Sequence, residues 1–480
     1  MSDTRTYDLI VIGSGPAGQK AAVQGAKCGQ RVAVIEQSAS VGGACVHHGT
    51  IPSKTLRETA AALSSFRQRT GNQLSFDIPA NVKVASLMAR LGQVVQAHEG
   101  YIGAQLSRNG VEKIHGRARF VSPNEIEVAT VAGTRERVRG TYIVVAVGSQ
   151  PRTPPNVPVD HENILDSDSI LSLIYLPRSL TVLGAGVIAS EYASVFAALG
   201  VEVTMIDKNP VPLGFLDPEL TSRFQTQFET MGGRFLGNAT VKQVVTDGVV
   251  VHTELEDGTV VTSDKALCAL GRIALLDRLN IAAAGLAPTS RGLLQVDEHC
   301  RTDVPHIYAV GDVVGPPALA ASAMEQGRRA ACHALQLDPG APAETIPMGI
   351  YTIPEMSSVG LSEAQAVERH GAAWIGRASF AEIARGHIMN DPHGFLKMVA
   401  HPDGETLLGI QIIGEGATEM IHLGQMALLA GSRVETFVEN IFNFPTLAEA
   451  YRVAALDIAG QVTQRSRPVT TVTDATPAPA

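Results

Sequence analysis

Residues 7–36 read YDLIVIGSGPAGQKAAVQGAKCGQRVAVIE, and residues 179–207 read SLTVLGAGVIASEYASVFAALGVEVTMID. Each stretch is an apolar run, a glycine-rich turn, a small-residue helical segment and a second apolar run that closes on an acid, Glu36 or Asp207. The acid falls 18 positions after Gly18 in the first copy and 18 after Ala189 in the second. A shared register of this kind marks an internal repeat. Each copy predicts a strand, turn, helix and strand, the βαβ opening of a doubly wound parallel sheet. In GSGPAG (13–18), Gly13 permits the tight turn, Gly15 lets the backbone approach a pyrophosphate, and Gly18 lets the helix pack on the strand. The pyrophosphate then meets the free N–H groups and the positive dipole end of a helix. Glu36 is placed to accept hydrogen bonds from ribose hydroxyls. In GAGVIA (184–189), Gly184 and Gly186 repeat the first two roles and Ala189 replaces the third glycine, a substitution the pattern tolerates. Asp207 takes the ribose position, where a carboxylate favours NAD over NADP because it repels a 2′-phosphate. Lys208 either offsets that repulsion or is a solvated surface charge.

The 480 residues exceed what one hydrophobic core supports, so several domains are expected. The fold class is α/β, with two Rossmann-like dinucleotide-binding domains. From about Ile346 the texture changes: GFLKMVAHPDGETLLGIQIIG (394–414) predicts two strands joined at Pro402-Asp403-Gly404, and helical stretches follow at about 416–430 and 447–457. A third domain, of α+β type, is expected there. The net charge is -9 and no long Lys/Arg run occurs, so neither nucleic acid nor an anionic membrane is an expected partner. No stretch approaches the roughly 20 apolar residues of a membrane span. Met1 to Thr6 is polar and runs straight into a strand-like segment, leaving no room for a secretory signal, so a cytoplasmic location is expected. Five cysteines (Cys28, Cys45, Cys268, Cys300, Cys332) show neither a CxxC pair nor zinc-ligand spacing, so no metal site and no disulfide framework are expected.

Further motifs lie along the chain: VGGACVHHGTIPSK (41–54), AVGS (146–149), GAGVIASEYAS (184–194), LGR (270–272), YAVGD (308–312) and FPTLAEAYR (444–452). With these, about residues 7–460 resemble the two-dinucleotide flavoprotein disulfide reductases, the family of lipoamide dehydrogenase and glutathione reductase. The resemblance implies an FAD domain at 1–150 and 271–345 and an NAD(P) domain at 151–270 inserted into it. It also implies a C-terminal dimerisation domain at 346–465 that makes a homodimer. Residues 466–480, rich in Pro, Thr and Ala, are expected to be a disordered tail. The resemblance places Lys54 near flavin N5, paired with Glu191, where its charge stabilises electron density on the reduced flavin. It makes Asp312 an FAD ribitol ligand, although the same residue also reads as a helix cap. Gly43, Gly148, Gly271 and Ala320 carry over as further cofactor contacts.

Two departures bear on the chemistry. The family's second redox cysteine lies five positions after the first, but here Cys45 is followed at that distance by Thr50. The family's C-terminal His-Pro pair is Phe444-Pro445 here, while Glu449 keeps the acidic position. The thiol pair and the imidazole that serves it are thus absent together. Cys45 then either packs against the flavin or keeps a redox role, and Thr50 hydrogen-bonds near the isoalloxazine or the FAD phosphates. His47 and His48 either act as acid/base groups or line the dimer cleft. HxGTIPSK (47–54), MGIYTIPEMSSVG (348–360) and NFPTLAEAYRVAAL (443–456) are similar, within the family, to the soluble pyridine nucleotide transhydrogenases. The implied activity is ping-pong hydride transfer from NADPH to NAD through FAD, with NAD(H) and NADP(H) as small-molecule substrates and no disulfide. One rival is an NADH-dependent diaphorase or oxidase that feeds a quinone, oxygen or dye, which Asp207 favours. Another is a catalytically idle flavoprotein that serves as a binding or redox-sensing subunit.

Overall fold

The computed structural model describes residues 4–70, 84–341 and 345–466. They group into two compact units, one within Met1–Pro212 and Phe228–Pro342, the other within Leu213–Gln227 and Ala343–Ala480. Among the described residues no helix is long and apolar enough to cross a membrane.

In the first unit, strand Arg5–Ile12 runs parallel to Val32–Glu36 on one side and to Arg135–Val145 on the other. Glu112–Ser122 and Ile307–Ala309 extend the parallel layer at its two ends. Residues 9–12, 32–35 and 143–145 of this layer are continuous apolar runs because both faces are covered. Ile10, Ile12, Ala33 and Ile35 face a core shared with Leu276 and Leu286. Leu9, Val11, Val32 and Val34 face the opposite core, with Ala21 and Ala22 of helix Pro16–Lys27 and Ala330 and Ala331 of helix Ala320–Ala334. Small residues let these two helices cross closely: a Cβ on Gly327 would lie 2.0 Å from the Ala17 carbonyl oxygen. Past the parallel layer, Glu112–Ser122 and Arg135–Val145 run on to hold Glu125–Thr130 between them in an antiparallel meander.

The second sheet of this unit is parallel throughout, in the order Arg234–Leu236, Glu202–Ile206, Ser179–Leu183, Lys265–Cys268 and Ile164–Asp166. The chain leaves the first sheet through Ser149–Pro151 and comes back through Arg272–Ala274, and these two short strands pair antiparallel. The doubly wound α/β class expected from the repeat is the one observed.

The second unit carries a five-stranded antiparallel sheet in the order Met348–Ile350, Met356–Gly360, Leu407–Ile413, Phe395–Ala400 and Trp374–Ser379. The Pro402-Asp403-Gly404 turn joins two of them, with Gly404 at φ +77 and Asp403 Oδ1 accepting from the Glu405 and Thr406 amides at 2.7 and 2.9 Å. Helices Ala417–Leu429 and Glu449–Ser466 lie on the sheet. The last helix continues beyond 457, where the sequence pattern ends it, because Ala454, Ala455 and Ile458 keep a buried face against the sheet and the chain beyond them stays in register. Of the expected tail only Ser466 is described, as the end of that helix, and 467–480 lie outside the described residues.

Lys397 stands inside this unit with its side chain 2% exposed. Its Nζ meets Asp217 at 2.9 Å, Glu219 at 2.7 Å and Glu363 at 2.5 Å, and Arg377 adds a second cation on Glu219 at 2.7 Å. The Arg377 guanidinium holds the Glu219 carboxyl down at about 2, so the stability it supplies is present at neutral pH and fades as pH falls toward that value. Removing one partner of a buried ion pair leaves the other charge uncompensated. Lys397→Met is therefore expected to cost about 3–5 kcal/mol, seen as a lower urea midpoint; a loss below about 1 kcal/mol would place the network among solvent-screened surface pairs.

Candidate functional site

The two glycine turns of the first unit repeat each other atom for atom. The Gly13 amide donates to the Ile35 carbonyl at 2.8 Å and the Gly184 amide to the Ile206 carbonyl at 2.8 Å. Gly13 has φ +101 and Gly184 φ +106, a region that favours glycine. A Cβ would sit 2.3 Å from the Ala146 carbonyl oxygen in the first turn and 2.8 Å from that of Ala269 in the second. At the third position a Cβ on Gly18 would lie 2.0 Å from the Gly13 carbonyl oxygen, whereas the second turn accommodates the fully buried methyl of Ala189. Gly15 and Gly186 have extended backbones, each at the N-cap of its helix, Pro16–Lys27 or Val187–Ala198.

Two observations fit a dinucleotide in each turn. A Cβ added at Gly15 or Gly186 would meet nothing within 4 Å, so open space faces a helix N-terminus where a pyrophosphate finds free N–H groups. The acids at the strand ends are each fastened to their turn. Glu36 Oε2 accepts from the Ser14 amide at 2.8 Å and the Ser14 hydroxyl at 2.7 Å, and Oε1 accepts from the Ser38 amide at 2.9 Å. Asp207 Oδ2 accepts from the Ala185 amide at 2.7 Å and Oδ1 from the Asn209 amide at 2.7 Å. Lys208 is exposed beside it. Gly43, at φ +63, presses on the first turn, since a Cβ there would fall 2.8 Å from Gly15 Cα.

The same loop leads into the short helix Gly43–His47 and then Thr50–Thr70, which carry Cys45, Thr50 and Lys54. Lys54 Nζ donates to Glu191 Oε2 at 2.6 Å, joining that helix to Val187–Ala198 of the second sheet's layer, and Glu191 is 6% exposed. Burial pushes the Cys45 thiol up, against a smaller opposing pull from the Thr50 hydroxyl and the Lys54 cation, while Asp312 adds to the rise. Cys45, Thr50, Lys54, Glu191 and Asp312 therefore share one locality. All five cysteines are free. Asp312 lies in the turn Gly311–Val314, in which Val310 rather than Asp312 holds the cap position. The Gly311 amide donates to Gln326 Oε1 at 2.8 Å, fastening the turn to helix Ala320–Ala334, whose first residue is Ala320. Gly148 and Gly271, at φ +71 and +107, precede the two crossing strands. The His47 ring nitrogen Nε2 is engaged with the Val41 carbonyl at 2.9 Å.

Glu449 lies in the second unit, at the start of helix Glu449–Ser466, where its carboxylate accepts from the Thr446 amide at 3.1 Å in the manner of a capping box. Phe444 stands there 75% exposed.

The sequence reading overlooked several polar neighbours of the site. Ser14, Ser149 and Arg272 sit inside motifs whose glycines alone were taken, and Asp168 and Tyr192 had no motif. Arg272 Nε donates to Ser149 Oγ at 2.8 Å, and Ser149 Oγ donates to Asp312 Oδ2 at 2.6 Å. Burial raises the Asp168 carboxyl and the Arg272 guanidinium opposes that rise. Burial drives the Tyr192 phenol up strongly, with the Glu191 charge beside it adding to the effect.

Comparison with known proteins gives a consistent result. The pyridine nucleotide-disulphide oxidoreductase family model matches residues 7–327, and the dimerisation domain of the same family matches 346–455. Soluble pyridine nucleotide transhydrogenases from Mycobacterium bovis and Hahella chejuensis are 43% identical over 460 residues and 40% over 466. These alignments cover 95% and 94% of this chain and 98% of each relative. Among solved structures, LpdA from Mycobacterium tuberculosis superposes with a TM-score of 0.86 at 27% identity, covering 95% of this chain and 99% of its own. The HOCl-induced flavoprotein disulfide reductase RclA from Escherichia coli gives 0.85 at 27%, covering 94% and 99%.

The thiolate is the reactive form of cysteine, so burial, by pushing the Cys45 thiol up, slows its reaction. Iodoacetamide labelling of Cys45, followed by peptide mass mapping, is expected to lag a free peptide thiol at about pH 7–8. Rapid labelling near pH 7 would contradict a protonated, shielded sulfur.

Proposed function

Since the chain belongs to the pyridine nucleotide-disulphide oxidoreductase family, whose members bind FAD and NAD(P), we propose that it transfers hydride from NADPH to NAD in a ping-pong cycle without a redox disulfide. The observation that carries this reading is the setting of Cys45, which faces the Thr50 hydroxyl where the disulfide reductases have a second thiol, while the Lys54–Glu191 pair is present beside it. FAD, when bound, supplies the two-electron chemistry, taking hydride from one nicotinamide and returning it to another at the same face.

The residues of this chain bind and orient. The Gly13 to Gly18 turn and Glu36 hold the pyrophosphate and ribose of FAD, with Gly43 packed behind the turn. Gly184, Gly186 and Asp207 do the same for the nicotinamide nucleotide, and Lys208 stands at the rim. Lys54, kept in place by Glu191, is a fixed positive charge where negative charge develops during reduction. Asp312 would accept from a flavin side-chain hydroxyl, with Gly148, Gly271 and Ala320 as further contacts of the cofactor. Thr50 stands where the second thiol would, so Cys45 has no cysteine at that spacing with which to form a disulfide. With no thiol pair, no residue here has a proton to shuttle to sulfur, which accounts for Phe444 in place of an imidazole. Glu449, in the matched dimerisation domain, keeps the family's acidic position.

Asp207 favours a second reading, because a carboxylate anchored by two backbone amides disfavours the 2′-phosphate of NADPH. In that case NADH reduces the flavin and electrons pass to a quinone, oxygen or a dye.

Anaerobic mixing with NADPH and then thio-NAD, following flavin absorbance, separates the two. Transhydrogenation predicts bleaching by NADPH and recovery on adding thio-NAD; rapid bleaching by NADH with none by NADPH selects the diaphorase. Lys54→Ala should retain FAD yet slow flavin reduction on the order of a hundredfold or more, measured by stopped flow, and wild-type kinetics would remove Lys54 from the mechanism.

A further inference from the structure

We propose that Ser149 and Arg272 are positioning residues of the flavin site, forming a one-way hydrogen-bond relay that sets the orientation of the Asp312 carboxylate. The inference rests on the reading of Asp312 as a flavin ligand given above.

The direction of the relay follows from the chemistry of its first member. A guanidinium has donors and no acceptor. Arg272 Nε–H therefore donates to Ser149 Oγ at 2.8 Å, and the serine oxygen is left to donate its own proton onward. The receiver is Asp312 Oδ2 at 2.6 Å. Among the described residues Ser149 is the donor on this carboxylate, so Oδ1 stays available to accept from a ligand hydroxyl. The relay thus does two things at once: it occupies one oxygen and aims the other.

Arg272 is itself rigidly held. Its Nη2 donates to the Ser149 carbonyl at 2.8 Å, so one guanidinium grips both main chain and side chain of residue 149, a planar fork that lysine cannot reproduce. Its Nη1 reaches Ser167 Oγ at 3.3 Å and stands 3.7 Å from Asp168 Oδ1, in the segment that follows strand Ile164–Asp166. Ser149 and Arg272 open the two strands by which the chain leaves the first sheet and returns to it, and those strands pair with Arg272 opposite Pro151 and Ala274 opposite Ser149. The relay therefore originates at the double crossing between the two nucleotide-binding sheets and terminates on the residue assigned to the flavin.

The test compares FAD-loaded wild type with Ser149→Ala, Arg272→Gln, Asp312→Asn and the Ser149→Ala/Asp312→Asn pair. The measurements are the FAD dissociation constant, from fluorescence of released flavin, and the unfolding temperature of each apoprotein. Ser149→Ala and Arg272→Gln are each expected to weaken FAD on the order of tenfold, with apoprotein unfolding unchanged. Adding Ser149→Ala to Asp312→Asn should cost nothing further, because the serine acts through the carboxylate. Arg272→Lys should recover only part of the loss. Ser149→Cys, near in volume and a weak donor, should weaken FAD like Ser149→Ala and covers the case in which the alanine variant is unstable. Fully additive losses, or wild-type FAD affinity in both Ser149→Ala and Arg272→Gln while Asp312→Asn is impaired, would overturn the relay and leave the flavin reading intact. Wild-type affinity in Asp312→Asn would overturn the flavin reading and the relay with it.

Discussion

Both nucleotide sites depend on a single constraint, that the acid ending the second strand must receive an amide of the glycine turn. Glu36 accepts from the Ser14 amide and Asp207 from the Ala185 amide, in each case the residue after the turn glycine. For those donors to reach the acid, the turn must fold back at positive φ against a neighbouring strand. There a side chain on Gly13 or Gly184 would collide with the carbonyl of Ala146 or Ala269. Once the turn is fastened in this way, the helix behind it has only one direction in which to point its free amides. The glycine turn, the fastened acid and the helix–strand contact are therefore one structural event, used twice.

The first turn also sets the position of Cys45, Thr50 and Lys54. The Gly42 amide donates to the Ser14 hydroxyl at 3.1 Å, and Gly43 leaves no room for a side chain against Gly15. The loop is thereby held to the turn, and the helices it feeds carry Cys45, Thr50 and Lys54 at fixed distance from it. Lys54 then meets Glu191, which is nearly buried. A charge pair with one buried member in a low-dielectric setting holds its geometry more firmly than a solvated pair. The lysine is thus tied to both sheets of the unit, through its own helix to one and through Glu191 to the other.

Much of this was legible along the chain. The matched 18-residue spacing to Glu36 and Asp207 predicted both glycine turns and their acids, because strand, turn and helix signals are local and the steric demand at Gly13 is written in the residue itself. The missing thiol at Thr50 was equally plain, since it depends on a spacing of five residues along the chain. The last helix was underestimated: its continuation to Ser466 depends on how far the sheet beneath it extends. The meeting of Ser149 and Arg272 is not legible in the motifs that hold them, because 123 residues separate the two and neither carries a local signature of its partner.

Local grammar was enough for the repeat, the two glycine turns, the acids that close them and the replacement of the second cysteine, because each is set within a short stretch of chain by backbone sterics or spacing. The folded chain alone could choose which distant groups meet: Lys54 with Glu191, Ser149 with Asp312, and the buried Lys397 with Asp217, Glu219 and Glu363. Such pairings are set by which strands lie side by side and by the need to neutralise charges taken out of water, and neither condition exists until the sheets have formed.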